Sequence, residues 1–299
     1  MIRLLPEEQL IVTQYIYALC AITLDPSKGY LIEGRLGPIV EESGCRSFLE
    51  LVNRSRADAS GGLKRKIINE ITTNETFFFR DSSPFDLLRF KVIPDLIDRR
   101  SKTSAKVPLR IWSAACSTGQ EIYSIAMVLS ELLGDLSRYQ IRLLGTDISD
   151  DAVAKASAGC FSHLEVSRGL ADSARARHFV PGSKGWKIRD ELRALATFRR
   201  LNLMEDFTSL GRFDVIFCRN VAIYFSESDR ISLFNRLAQR LEGDGSLVIG
   251  SMESLSGICP QFGSKRHQRA VYYQLLSPVA PEVAPAPAPA RPALILAKP

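Results

Sequence analysis

The sequence predicts an α/β fold preceded by an all-helical segment, and three observations carry that reading. Residues 6–70 read as helices with short breaks and no strand signal. From about residue 107, short apolar β-type runs alternate with helical stretches, the pattern of a parallel, doubly wound sheet with right-handed crossovers. The composition, 45% hydrophobic and 24% charged over 299 residues, is that of a globular chain long enough to bury a sizeable core.

The first helix, PEEQLIVTQYIYALCAI, opens on Pro6 with acids in its first turn, a normal helix entry. DPSKGY reads as a break. GPIVEESG and CRSFLELVNRSR follow as two helices separated at Gly44, and LKRKIINEIT as a fourth. We therefore assign residues 1–72 to a helical N-terminal domain, 73–106 to a linker carrying TTNETFFFRD, and 107–276 to the α/β domain. The strands expected there are VPLRIWSAA, IRLLGTDIS, a weaker FRRLNLM, RFDVIFCRN, GSLVIGSM and RAVYYQLL. The helices between them are QEIYSIAMVLSELLG, DDAVAKASAG and ESDRISLFNRLAQRLEG. The alternation is interrupted at about 160–200, where GSKGWKIRDELRALATF reads as a small insertion with short strands. Its Lys184, Lys187, Arg189, Arg193, Arg199 and Arg200 form either a solvated face or a docking surface for an acidic partner. Residues 277–299 alternate Pro and Ala, cannot build a core, and read as an extended tail or a spacer.

Several function classes are disfavoured. The net charge of +6 suits an acidic partner but is far from that of a nucleic-acid-coating protein. Six cysteines, at 20, 45, 116, 160, 218 and 259, form no Cys-x-x-Cys pair and do not cluster with the three histidines. Reduced thiols in a cytoplasmic protein are expected, without a disulfide framework or a metal site. The apolar stretch 10–24 lacks a basic leader and is too short to span a membrane. Without a signal peptide, the Asn74-Glu75-Thr76 sequon stays unglycosylated, which leaves TTNETFFFRD as core or as part of a ligand site.

In doubly wound sheets, ligands bind at the carboxyl ends of the strands near the switch in strand order. The first strand ends in SAACSTGQE, whose small residues let a ligand approach the backbone before a helix start, or which forms a plain β–α turn. It is not a dinucleotide fingerprint, since only Gly119 is present. The second strand ends in Asp147, able to accept both hydroxyls of a ribose or to cap a helix, a task Ser149 or Asp150 could take. The third ends in Asn202-Leu203, an amide for an adenine edge beside a leucine for its face. The fourth ends in Cys218-Arg219-Asn220, followed by VAIYF, where Tyr224 points to core or to site. Together these strand ends describe a crevice for an adenosine-bearing ligand. The absence of a Walker lysine and the neutral and acidic groups suit a cationic sulfonium better than a triphosphate.

TTNETFFFRD, WSAACSTGQEIYSIAM, GTDIS and FDVIFCRNVAIYF resemble the chemotaxis receptor methyltransferase family, CheR, in order and as far as about residue 276. The resemblance implies a Rossmann-like S-adenosylmethionine-dependent methyltransferase domain with a small inserted β-subdomain, behind the helical domain. It implies methyl transfer to glutamate side chains on the cytoplasmic helices of chemoreceptors, with S-adenosylhomocysteine as product. Carried over by motif, the cofactor-binding residues would be Asn74, Thr76, Arg80, Glu121, Asp147, Asn202, Leu203, Asn220 and Val221. Arg80 and Tyr224 would lie nearest the transferred methyl. Departures are Ile122 for a usual proline, Ala222 for a larger apolar residue, and SMESL at 251–255 for HSESL. The short loop around GSKG argues against docking of a receptor's C-terminal peptide. LKRK, with Arg54 and Arg56, faces either an acidic receptor helix or solvent. We expect a monomer, with no nucleic acid partner and no membrane insertion. The competing readings are a methyltransferase acting on RNA and a non-catalytic cofactor-binding docking protein.

Overall fold

The computed structural model describes residues 2–102, 106–183 and 185–276; Lys184 and the Pro/Ala tail at 277–299 lie outside the described residues. Helices α1 (Pro6–Cys20), α2 (Gly29–Glu42), α3 (Phe48–Ala57) and α4 (Gly62–Ile71) pack around Val12, Ile16, Ile32, Leu36, Phe48 and Leu51. Ser47 caps α3 by accepting the Glu50 N–H at 3.2 Å. The buried Glu8 accepts the Leu5 and Leu49 amides at 3.2 and 3.0 Å, joining α1 to α3. DPSKGY breaks the helical pattern between α1 and α2 as expected, although its last two residues, Gly29 and Tyr30, already begin α2, which also contains Pro38.

The stretch after the motif holds α5 (Ser83–Leu87), a π-helical turn (Leu88–Val92) and α6 (Ile93–Arg100), one continuing into the next. Pro84 and Pro94 look like breakers in the sequence. Pro84 stands in the first turn of α5, where the missing N–H would have no partner anyway, whereas Pro94 lies within the continuous helical run, just after the π-helical turn.

The α/β domain follows with β1 (Val107–Ala114), α7 (Gln120–Leu133), β2 (Tyr139–Asp147) and α8 (Asp150–Ala158). The insertion comprises β3 (Cys160–Phe161), α9 (His163–Ser167), α10 (Asp172–His178), β4 (Phe179–Gly182), β5 (Gly185–Ile188) and α11 (Asp190–Arg193). The chain returns through β6 (Ala196–Arg200), β7 (Phe213–Cys218), α12 (Glu227–Arg240), β8 (Leu241–Ile249), β9 (Phe262–His267) and β10 (Ala270–Leu275). The main sheet has the order β6-β2-β1-β7-β8-β10-β9, and the insertion forms a separate three-stranded antiparallel sheet, β3-β5-β4. Five strands of the main sheet run parallel. The last two depart from the all-parallel expectation: β10 runs antiparallel to β8, and β9 antiparallel to β10. A short β9–β10 connection through Gln268-Arg269 can only turn the chain back on itself.

The central strands are buried on both faces, so they read as near-continuous apolar runs. Along β1 and β7, Ile111, Val215 and Phe217 face one core, while Trp112, Ile216 and Cys218 face the other. Strand order reverses beside β1, with β2 on one side and β7 on the other. This places the crevice expected of doubly wound sheets at the ends of these three strands.

The insertion packs onto the motif that precedes the sheet. Phe78 is fully buried and meets Phe161 of β3 and Phe179 of β4 edge-to-face, at centroid distances of 5.0 and 5.5 Å. Gly169, between α9 and α10, has φ +87°, and a Cβ built there would run into the Phe78 carbonyl. Gly169→Ala should therefore lower stability by at least ~1 kcal/mol from the left-handed backbone alone, with a further loss as Phe78 is displaced. A urea unfolding curve that matches the unsubstituted protein would show that this contact does not hold the motif.

Candidate active site

Residues 113–121 make a tight passage from β1 into α7. Ala115, Ser117 and Gly119 all take positive φ, at 64°, 50° and 95°. A Cβ on Gly119 would sit 2.9 Å from the Ala156 Cβ, so glycine lets α8 approach the turn. The Ser117 N–H donates to Asp147 Oδ2 at 2.8 Å, and the Ser117 hydroxyl donates to the Asn74 carbonyl at 2.9 Å. The turn is thereby tied to the end of β2 and to the motif at once.

Asp147 is not a helix cap. Ser149 caps α8 by accepting the Ala152 N–H at 3.1 Å, while Asp147 Oδ1 accepts the Ser149 N–H at 3.0 Å. Burial pushes the Asp147 carboxyl above its ordinary value, opposed by backbone N–H donors from Ser149, Ser117 and Ile148. Burial also raises the thiols that border the space, Cys20 to about 11 and Cys116 well above the usual range. Both stay protonated and unreactive at neutral pH.

The motif crosses the mouth of this region. Arg35 of α2 anchors its start, donating to the Ile71 and Thr72 carbonyls at 2.6 and 3.1 Å and to the Thr73 hydroxyl at 3.0 Å. Of its three phenylalanines, two pack into the core. Phe78 is buried as described, and Phe79 packs on Phe85 at 5.2 Å while its N–H donates to the Ser124 hydroxyl at 3.0 Å. Phe77 instead lines the crevice, with the guanidinium carbons of Arg168 and Arg80 4.7 and 5.9 Å from its ring centre. Phe79 and Asp81 adopt positive φ, 53° and 60°, so the segment does not follow the alternation of a strand.

Asn74, Thr76, Arg80, Glu121, Asp147, Asn202, Leu203, Asn220, Val221 and Tyr224 all line one crevice that is partly open to solvent. Every residue singled out from the sequence is therefore brought together. Tyr224 is settled as a crevice residue, and the buried neighbour is Ala222. Asn202 has its side chain engaged: Nδ2 donates to the Leu19 carbonyl at 3.1 Å and Oδ1 accepts the Met204 N–H at 3.0 Å. The helical domain closes the same side, with Cys20 and Ile22 in the lining and the Thr23 N–H donating to the Tyr224 carbonyl at 2.9 Å.

Arg219, placed at the end of the fourth strand by the sequence but given no role there, turns out to be central. Its side chain is 2% exposed, directly after the last residue of β7. Nη1 donates to Glu121 Oε2 at 2.8 Å, and Nη2 donates to both Asp81 Oδ2 and the Arg80 carbonyl at 2.8 Å. Glu121 completes its set by accepting the Ser113 hydroxyl at 2.7 Å. A signal was available: an arginine that closes an otherwise apolar strand needs carboxylate partners. Among the described residues, the lining carries three carboxylates, Glu75, Glu121 and Asp147, against two guanidiniums, Arg80 and Arg219, and no lysine or histidine. Such a set tolerates a cationic ligand better than a polyphosphate.

Comparison with known proteins agrees with this architecture. The family model described as "CheR methyltransferase, all-alpha domain" matches residues 11–72, and "CheR methyltransferase, SAM binding domain" matches residues 74–271. A chemotaxis protein methyltransferase of Pseudomonas putida, Cher2, is 37% identical over 260 residues, covering 85% of this chain and 93% of the relative. Chemotaxis protein methyltransferase 1 of Pseudomonas aeruginosa is 38% identical over 244 residues, covering 80% and 87%. Its counterpart in Vibrio cholerae is 36% identical over 265 residues, covering 88% and 94%.

The ion cluster makes a direct prediction. Arg219→Met removes the guanidinium and leaves the Glu121 carboxylate buried without its partner. Stability should fall by about 3–5 kcal/mol, the scale of breaking a buried pair by removing one member. Chemical denaturation measures this, and a loss below ~1 kcal/mol would mean the cluster is not structural.

Proposed function

The chain belongs to the CheR family of chemotaxis methyltransferases, and from that premise we propose the substrate and the task of each residue in the crevice. The reaction is methyl transfer from S-adenosylmethionine to glutamate side chains on the cytoplasmic helices of chemoreceptors, which tunes chemotaxis signalling and adaptation. The observation that supports this reading most is the convergence of all ten sequence-predicted residues on one crevice at the switch in strand order. The protein works in the cytoplasm as a monomer. Among the described residues, no helix is long and apolar enough to cross a membrane.

The donor set fits the cofactor. Asp147 presents its carboxylate at the end of β2 to the ribose hydroxyls, and Asn202 with Leu203 borders the base. Asn74, Thr76, Glu121, Asn220 and Val221 surround the remaining polar part. When bound, S-adenosylmethionine supplies an activated methyl group on a sulfonium. The protein need not remove a proton, because a glutamate carboxylate with a pKa near 4.3 is already ionised at neutral pH. No histidine lines the crevice. What the chain provides is orientation and exclusion of water from the carboxylate.

Arg80 and Tyr224 do the positioning nearest the methyl. Arg80 Nη1 donates to the Glu75 carbonyl at 2.9 Å, and the guanidinium has further N–H groups with which to grip a carboxylate as a fork. Tyr224 lines the same crevice, and its hydroxyl would help to orient that carboxylate. Phe77, beside Arg80, shields that end from water.

The deciding experiment incubates the protein with methyl-labelled S-adenosylmethionine and chemoreceptor-bearing membranes. Base-labile label on the receptor is the expected result, whereas label on RNA, or cofactor binding without turnover, contradicts the proposal. Arg80→Ala should stay folded, since its side chain makes one hydrogen bond, to the Glu75 carbonyl, and a rim contact with the Phe77 ring, and should lose about 10²–10³-fold in kcat, the scale of removing one preorganised donor. Activity within threefold of the unsubstituted protein would remove Arg80 from the mechanism.

The pH profile gives a second check. With no general base, kcat should be flat from about pH 6.5 to 9. The raised pKa of Asp147 means that its ionised form is disfavoured by folding at neutral pH, and that this penalty vanishes as pH falls through the raised value. Cofactor affinity should therefore weaken on the acid side while Asp147 contributes no loss of stability there. A bell-shaped profile centred near neutrality would contradict this account.

A further inference from the structure

The SMESL stretch, 251–255, lies outside the crevice and plays no part in the scheme above. Its Glu253 nevertheless reaches the site from behind. Oε2 accepts the Gly250 N–H at 2.6 Å and the Asn220 N–H at 2.9 Å. The first bond is local, within a turn closed by the Glu253 N–H donating to the Gly250 carbonyl at 2.9 Å. The second spans 33 positions of sequence and joins the carboxyl end of β8 to that of β7.

Three details show that this bond constrains the site. Asn220 has φ 57°, a left-handed conformation that asparagine tolerates but that needs support from its surroundings. Gly250 leaves no space for a side chain: a Cβ there would lie 2.5 Å from Glu253 Oε2 and 2.9 Å from Asn220 Nδ2. The far end of the turn is also fixed, by the Leu255 N–H donating to the Tyr273 hydroxyl at 3.3 Å. Glu253 itself borders a neighbouring groove with Ser83, Pro84 and Arg269, and its hydrogen bond to Asn220 links that groove to the crevice. Its Oε1 is buried with no hydrogen-bond partner among the described residues. A carboxylate kept there is not explained by local satisfaction of the turn, for which one oxygen suffices.

We infer that Glu253 is a positioning residue for methyl transfer: its carboxylate holds the Asn220 backbone in the left-handed conformation that sets Asn220, Val221 and Tyr224 around the cofactor. The inference rests on the reading that these residues belong to the cofactor site. It acts through geometry, so the bond to Asn220 matters rather than the negative charge. A glutamine carbonyl offers the same acceptor to both N–H groups, whereas alanine offers none.

The test measures S-adenosylhomocysteine affinity by calorimetry for Glu253→Ala, Glu253→Gln and Asp147→Ala, at a temperature where thermal melts show each variant folded. Loss of a charge-assisted acceptor should weaken binding about tenfold or more in Glu253→Ala, with glutamine restoring most of the affinity. Glu253→Ala with unchanged affinity and only a lowered Tm would make Glu253 a stabiliser of the turn and overturn the inference. Equal losses for glutamine and alanine would overturn it too, by assigning the effect to charge. If Asp147→Ala also binds normally, the reading of the crevice itself fails, and that outcome is distinct from the other two.

Discussion

The buried guanidinium of Arg219 is the constraint on which the site depends. It stands where the end of β7, the first turn of α7 and the motif meet, and it bonds to a group from each of the last two. Taking an arginine out of water is strongly unfavourable unless charge-assisted bonds replace its hydration. Glu121, Asp81 and the Arg80 carbonyl replace it in part, leaving Nε buried without a partner. The arrangement is therefore intolerant of drift. If the motif lifts away, Arg219 loses two of its three bonds. The polar residues of TTNETFFFRD are held over the strand ends by a charge that has nowhere else to go.

The other parts of the molecule reinforce this from different directions. The helical domain reaches in through Arg35 at the start of the motif, through Leu19 on Asn202, and through Thr23 on Tyr224. The insertion grips the buried phenylalanine of the motif with Phe161 and Phe179, and Arg168 pairs with Glu75 at its rim. Sheet, helical domain and insertion thus converge on one short segment. For a reaction whose nucleophile arrives already ionised, such convergence is what catalysis requires: orientation and exclusion of water.

Much of this was legible in the sequence because the signals are strong where burial is complete. FDVIFC and LRIWSA read as central strands since both faces are covered, and small residues at 113–119 marked the turn that the ligand approaches. The polar groups at the strand ends were found by position alone, and they share one crevice. What escaped was governed by tertiary context. Strand β9 is a polar edge, GSKRH, whose apolar neighbour pairs with it through a tight hairpin that no periodicity announces. The helices after the motif hide behind two prolines, Pro84 in the first turn of α5 and Pro94 just after the π-helical turn. Phe77 to Phe79 look equivalent in sequence, yet a positive φ at Phe79 sends them to different surroundings. The part of Arg219 depends on carboxylates 98 and 138 positions away in the chain.

The central claim is that the motif is preorganised over the crevice before any ligand arrives. Amide hydrogen exchange in the unliganded protein tests it most directly. The Phe79 N–H, donated to Ser124, and the Ser82 N–H, donated to the Phe79 carbonyl, report on the segment. The account predicts slow exchange at both without ligand, with little further protection on adding S-adenosylhomocysteine. Exchange at the rate of an unstructured loop, becoming slow only once ligand is added, would contradict it.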